Sequence, residues 1–350
     1  MAIHAFYSER KTIDIGTLLL ESGTELPGVS LIYERVGPWD APVVLICHAL
    51  TGNHKTIGNE KTPGWWNGLV GRKQFIDTEK YQVITFNVLG GCDGSTGPLS
   101  INPLTNKPYQ LDFPTLSIRD IVRAQYEALN HLNIREVHAI IGGSLGGMQV
   151  LEWGLLYPSF MKKLIALAVT PTLSDFGIAF NYIAEQAIKA DPEWQNGYYQ
   201  DYSDFKGLEI ARMIGMVTYR SAQLFSERFS RQKSDEVFSV TSYLKYQGKK
   251  LVQRFDANSY LYLLDAMNTH DIGRNRGNWM IASQMYECRV LFIGYENDLI
   301  YDPSTIKEFS EMVPYAVYHH VQTNYGHDGF LTEYGKWGSV VSDFLENNNR

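Results

Sequence analysis

Covalent acyl chemistry needs a nucleophile, a base and an acid, and three residues of this chain stand in suitable places. Ser144 lies in Gly142-Gly143-Ser144-Leu145-Gly146, the G-x-S-x-G spacing of a sharp turn that presents a serine between a strand and a helix. Glycines suit that turn because the crossing strand and helix leave no room for a Cβ. The same spacing also fits a plain connection, or a helix N-terminus that binds an anion. An apolar run at 137–141 and a helical pattern at 148–156 flank the turn and favour the nucleophile.

A serine hydroxyl is weak and needs a base that is itself oriented by an acid. With a serine on such a turn, the order along the chain is serine, acid, histidine. Asp298 follows the apolar run 290–293 and is the first choice for the acid. Asp302 is the runner-up, but it precedes Pro303 and suits a helix cap; Glu296 is a weaker rival. His327 sits in Tyr325-Gly326-His327-Asp328-Gly329, after the run 317–321, and is the candidate base. His319 and His320 fall inside that run, and His4, His54, His131 and His138 have ordinary structural or surface explanations. His48, at a strand end, reads as structural. An oxyanion hole needs two backbone N–H groups, one after the nucleophile and one after an early strand, which nominates Leu145 and Leu50.

The elements that must hold these residues alternate. Extended segments at 17–20, 29–36, 43–47, 83–86, 137–141, 164–169, 290–293 and 317–321 are separated by helical patterns at 117–132, 148–156, 304–312 and 332–345. The first two read as an antiparallel start, and Ser117 as an N-cap. The alternation implies a mostly parallel sheet covered by helices. Residues 95–114 carry four prolines and no period, a long loop of the functional kind. From 173 to 287 the alternation stops, and helical stretches at 178–190, 207–216 and 259–268 replace it. The expected organisation is a core of 1–171 and 288–350 with a helical cap inserted at 172–287.

Composition sets limits on partners. A net charge of −7 argues against nucleic acid, which needs concentrated positive charge. No apolar run reaches the roughly 18 residues that span a bilayer. The start, Met1 to Lys11, has no apolar signal region. Three scattered cysteines give neither a disulfide framework nor a zinc site, so no metal is expected. Together these features lead us to expect a cytoplasmic protein.

Several segments are more specific than the turn alone: His48-Ala49-Leu50-Thr51-Gly52, Gly64-Trp65-Trp66, Asn87-Val88-Leu89-Gly90-Gly91-Cys92, Gly94-Ser95-Thr96-Gly97-Pro98 and Ile118-Arg119-Asp120. Ala211-Arg212-Met213, Thr269-His270-Asp271 and Tyr325-Gly326-His327-Asp328 continue the series. With Gly142 to Gly147 they resemble the homoserine O-acetyltransferase family, acyltransferases built on the α/β-hydrolase fold. The resemblance implies a Ser144–Asp298–His327 triad and no resident cofactor. Ser144 would take an acetyl group from acetyl-CoA and pass it to L-homoserine, a ping-pong step toward methionine. It also implies that Arg212 holds the acceptor's carboxylate and Asp328 its ammonium. Spacing alone leaves Arg212 a solvated helix residue and Asp328 a loop residue bonded to its own backbone. A homodimer joined through the cap is the implied assembly.

The chain departs from the family at Asn106, Gln110 and Asn275, where glycine is more usual; these changes could alter loop conformation near the cap. Within the same fold, the rivals are an esterase-type hydrolase, a succinyl-CoA user and a serine acyltransferase. A succinyl carboxylate would want a cation near the site. Between Leu291 and Tyr325 the only lysine or arginine is Lys307, on an expected helix, which favours acetyl. A non-catalytic binding protein of this fold would be expected to lack part of the triad or the oxyanion loop.

Overall fold

Short apolar runs bounded by polar turns bury both faces most readily inside a parallel sheet. The computed structural model describes residues 8–59, 61–200 and 205–347; the first seven residues of the start scanned for a signal lie outside that range. Its sheet has eight strands: β1 (Ser8–Leu19), β2 (Glu25–Val36), β3 (Val43–Cys47), β4 (Gln82–Phe86), β5 (Val137–Gly143), β6 (Met161–Leu167), β7 (Arg289–Tyr295) and β8 (Ala316–Val321). Their order is β1-β2-β4-β3-β5-β6-β7-β8. Strand β2 runs against both its neighbours, and β3 to β8 are parallel.

Alternation within a strand divides the core in two. Leu45 and Cys47 of β3 join one apolar cluster, Val44 and Ile46 the other. Helices α1 (Ile118–His131), α2 (Leu145–Leu156) and α9 (Pro303–Met312) pack on the first face, and α10 (Gly338–Glu346) on the second. Ser117 caps α1 as expected, in a reciprocal pair with Asp120. Strand β1 begins well before the expected residue 17. Its polar first half lies on the edge of the sheet, where one face meets solvent and the apolar signal is weak.

The helix expected at 332–345 is shorter. Glu333 adopts a left-handed backbone (φ 47°) that breaks the helical run, and α10 begins only at Gly338. Asn106, Gln110 and Asn275 have φ of 57°, 48° and 61°, so all three occupy the left-handed conformation that glycine adopts most easily. The departures from glycine therefore leave these loop conformations in place.

Between β6 and β7 lie α3 (Asp175–Lys189), α4 (Lys206–Thr218), α5 (Ala222–Phe229), α6 (Ser239–Val252), α7 (Ala257–Asn268) and α8 (Trp279–Ser283). The outgoing and returning passages are joined by Leu173 N–H to His270 O (3.4 Å) and Ile272 N–H to Pro171 O (3.0 Å). An ionic knot fixes the return. Glu152 of α2 accepts from Arg119 Nε (3.1 Å) and Arg276 (2.8 Å), while Glu21 accepts from Arg119 (2.9 Å) and Arg274 (2.8 Å).

Glu152 is 1% exposed, and its removal would leave Arg276 without a carboxylate and Arg119 with Glu21 alone. Breaking a buried pair from one side costs about 3–5 kcal/mol. Glu152→Ala is expected to lower the denaturation midpoint by that order, and Glu21→Ala, at a more open site, by less. Urea titration of the two variants checks this.

Candidate active site

The turn between β5 and α2 holds Ser144 at φ 58° and ψ −126°, a backbone that a side-chain-bearing residue adopts only under constraint. The constraint is contact on both sides. A Cβ on Gly142 would lie 2.5 Å from Gly146 O, and one on Gly146 would lie 2.1 Å from Cys47 O. Ser144 N–H is spent on Leu167 O (3.1 Å). The serine therefore stands at the end of the sheet, with α2 leading away from it.

Asp298 follows β7. Its Oδ1 accepts the N–H groups of Ile300 (2.9 Å) and Tyr301 (3.0 Å), and its Oδ2 lies 2.8 Å from His327 Nδ1. Both carboxylate oxygens are used, and Nε2 is left as the imidazole atom free to exchange a proton. The rivals separate cleanly. Asp302 caps α9 by accepting from Ser304 N–H (2.9 Å), and Glu296 is exposed. His320 is exposed beside Tyr318. The His327 ring is walled by Tyr301 (5.1 Å between centroids), Phe330 (5.3 Å) and Tyr219 (5.5 Å).

The two amides nominated for an oxyanion hole each sit at a turn. Leu145 is the first residue of α2, where no preceding turn supplies an acceptor for its N–H. Leu50 is the first central residue of a turn closed by Gly52 N–H to Ala49 O (2.8 Å). His48 sets that turn: its Nδ1–H donates to Ala49 O (2.8 Å) and its Nε2 accepts from Val88 N–H (3.0 Å). This arrangement requires the neutral ring, and burial pushes its pKa down to about 4. From α2, Gln149 donates to His48 O (3.2 Å).

Leu50 and Ser144 line a narrow cavity of about 30 Å³ with Ala211, Tyr219, Tyr260 and Tyr301. No charged side chain lines it among the described residues. Arg212 is not in this lining; it faces an adjoining cleft, close enough that Tyr219 and Tyr260 feel its charge. Arg212 has no ion pair among the described residues. Asp328, by contrast, is already engaged, with Oδ2 taken by Arg220 Nε at 2.8 Å. Its backbone N–H reaches Tyr219 O (3.0 Å), which ties the histidine loop to the end of α4. Lys307 lies on α9, paired with Glu311.

Sequence reasoning missed Arg220 and Tyr301. Arg220 meets its partner 108 positions away, and nothing local signals that contact. Tyr301 was within reach, three residues after the acid. Its amide holds Asp298, its ring stacks on His327 and its buried hydroxyl faces the Ser144 cavity.

Comparison with known proteins bears on the choice among rivals. A family model of the alpha/beta hydrolase fold matches residues 42–334. The solved homoserine O-acetyltransferase from Bacillus anthracis superposes with a TM-score of 0.92 at 25% identity, covering 97% of this chain and 98% of that one. Esterase E22 superposes nearly as well, with a TM-score of 0.89 at 25% identity and coverage of 97% and 100%. Shape therefore does not separate transfer from hydrolysis. The homoserine O-acetyltransferase of Moorella thermoacetica is 42% identical over 349 residues, 94% of this chain and 93% of that protein. The chain belongs to the homoserine O-acetyltransferase family. Among the described residues, no helix is long and apolar enough to cross a membrane.

In the unfolded chain His48 takes a proton near pH 6.5, but in the fold only near 4. Between those values the unfolded state binds more protons, so stability falls as acid is added. Acting alone, this residue would account for a loss of roughly 3 kcal/mol by pH 4. The denaturation midpoint is expected to drop between pH 6.5 and 4.5. His48→Gln, less stable at pH 7, should lose less over the same range in parallel titrations.

Proposed function

We propose that the protein transfers an acetyl group from acetyl-CoA to the side-chain hydroxyl of L-homoserine through an acyl-Ser144 intermediate. The observation that carries the reading is the Asp298–His327 bond of 2.8 Å in a 42% identical member of the family. His327 Nε2 takes the Ser144 proton as Oγ attacks the thioester carbonyl. The Leu50 and Leu145 amides receive the developing oxyanion. The proton then leaves with the CoA sulfur. In the second half His327 takes the proton of the homoserine hydroxyl, which attacks the ester and releases Ser144. Asp298 keeps the ring oriented and steadies its charged form throughout.

The uncharged lining of the Ser144 cavity supports acetyl over succinyl, because a buried carboxylate there would have no cation to meet. Arg212 is assigned to the acceptor's carboxylate, which its unpaired fork suits. Asp328 is assigned to the ammonium through its Oδ1, with Arg220 holding Oδ2. The acetyl group arrives already activated as a thioester, so the reaction calls for no resident cofactor. A homodimer through the cap completes the proposal. In its support, Phe176 and Ile183 on α3 and Ile210 and Val217 on α4 are about half exposed. Gel filtration is expected to give about twice the chain mass of 39.8 kDa.

The likeness to esterase E22 makes hydrolysis the rival outcome. Incubation with acetyl-CoA should release CoA rapidly only when homoserine is present, with O-acetylhomoserine as the product. Release that ignores homoserine and yields only acetate would make the protein a hydrolase. Ser144→Ala and Asp298→Asn are each expected to lower homoserine-dependent turnover by about 10⁴-fold.

A further inference from the structure

A cleft of about 370 Å³ opens between the loop around Thr51–Trp65 and the helices α4 and α6. Four cationic side chains line it: Lys55, Arg212, Lys250 and Arg254. No aspartate or glutamate is in the lining among the described residues. Asp93 lies beside it, 3.9 Å from Lys55 and also bonded to the Asn53 amide (2.6 Å). Lys250 and Arg212 have no carboxylate partner among the described residues. Arg254 is braced across the mouth by donating to Thr51 O (2.8 Å), where it feels the charge of Arg212.

Composition does not explain this arrangement, since the whole chain carries −7. Cations gathered in excess of the carboxylates beside them repel one another, and a bound polyanion relieves that repulsion. The cleft also has a fixed relation to the nucleophile. Leu50 lines the Ser144 cavity and Thr51 the cleft; Ala211 lines the cavity and Arg212 the cleft. At two places, then, consecutive residues join the two spaces.

We propose that this cleft binds the phosphate groups of the nucleotide end of the acyl-thioester donor, leaving the thioester to enter the Ser144 cavity. The assignment rests on the acetyl-CoA reading above. Lys55 and Lys250 meet phosphate oxygens from opposite walls, one on the core loop and one on α6. Arg254 sets the width between them. Free inorganic phosphates share the same chemistry, and the donor is distinguished from them by its link to the thioester.

The test compares acetyl-CoA with acetyl-pantetheine, which keeps the thioester arm and lacks every phosphate, as donors to the full-length protein. The wild type is expected to show a KM for acetyl-CoA at least about tenfold below that for acetyl-pantetheine, a gap that narrows as salt is raised. The double variant Lys55→Ala/Lys250→Ala should raise the acetyl-CoA KM about tenfold more than the acetyl-pantetheine KM. Equal effects on the two donors, or none on either, would overturn the site. Calorimetry of free CoA with the same variant gives the comparison without turnover. Weakened CoA binding in a protein that transfers no acetyl group would keep the site and overturn the transfer reading. Competition by inorganic pyrophosphate as strong as that by CoA would reduce the cleft to a general anion site and overturn the donor assignment.

Discussion

A backbone-to-backbone approach with no space for a methyl group underlies the site. Gly146 lies so close to Cys47 O that a Cβ would sit 2.1 Å away. That approach brings the start of α2 against the end of β3, so the loop after β3 reaches the same point as the serine. On the proposed reading, Leu50 and Leu145, 95 positions apart, then present amides to one place. The strained serine backbone is tolerated because β5, α2 and β3 overdetermine it. His48 and Gln149 extend the same junction, each bonding to the turn that carries Leu50. Neither residue need touch a substrate to matter. They hold the turn that carries Leu50.

The histidine side of the site has a different support. Its loop is bonded to the inserted helices as well as to the core, through Asp328 N–H to Tyr219 O and Ser221 Oγ to Asn324 O (2.5 Å). Arg220 adds an ion pair to Asp328. The base and the roof over the cavity are therefore mechanically one piece, while the serine and the amides belong to the sheet. Relative movement of the inserted helices would shift His327 and the cavity wall together. The knot of Glu152 with Arg119 and Arg276 limits such movement where the inserted chain rejoins the core.

Much of this was legible in the sequence because its signals are local. Apolar runs ending in glycine-rich turns marked the strands, and the order of Ser144, Asp298 and His327 followed from which turns they end. The nomination of Leu50 and Leu145 came from the same rule. Edge and surface elements were harder. The polar half of β1 has no buried face to announce it. Helix α6 buries only Gly248, Leu251 and Val252, too few to produce a helical apolar stripe. That helix carries Lys250, so the cationic cleft was out of reach of any reading confined to the loops near the triad. Arg220 was hidden for the same reason: its partner is close only after folding.

Uncharged cavity and charged cleft divide the work of recognition by dielectric. Ion pairs in the open cleft are screened, so they attract and orient without demanding full desolvation. Inside the narrow cavity the same charges would be costly to bury, and none lines it among the described residues. A thioester or ester carbonyl is neutral until attacked, so it can enter such a space at little cost. On the proposed reading, the charge that develops on attack then meets amides in a narrow space, where each bond counts for more than in solvent. On the proposed reading, Arg212 stands at the boundary, near enough to the tyrosines of the cavity to reach an acceptor and exposed enough to the cleft to meet what comes through it. A protein that must pass an acyl group to an amino acid rather than to water gains from that placement. On that reading the acceptor's ionic groups are held at the rim while its hydroxyl alone goes in.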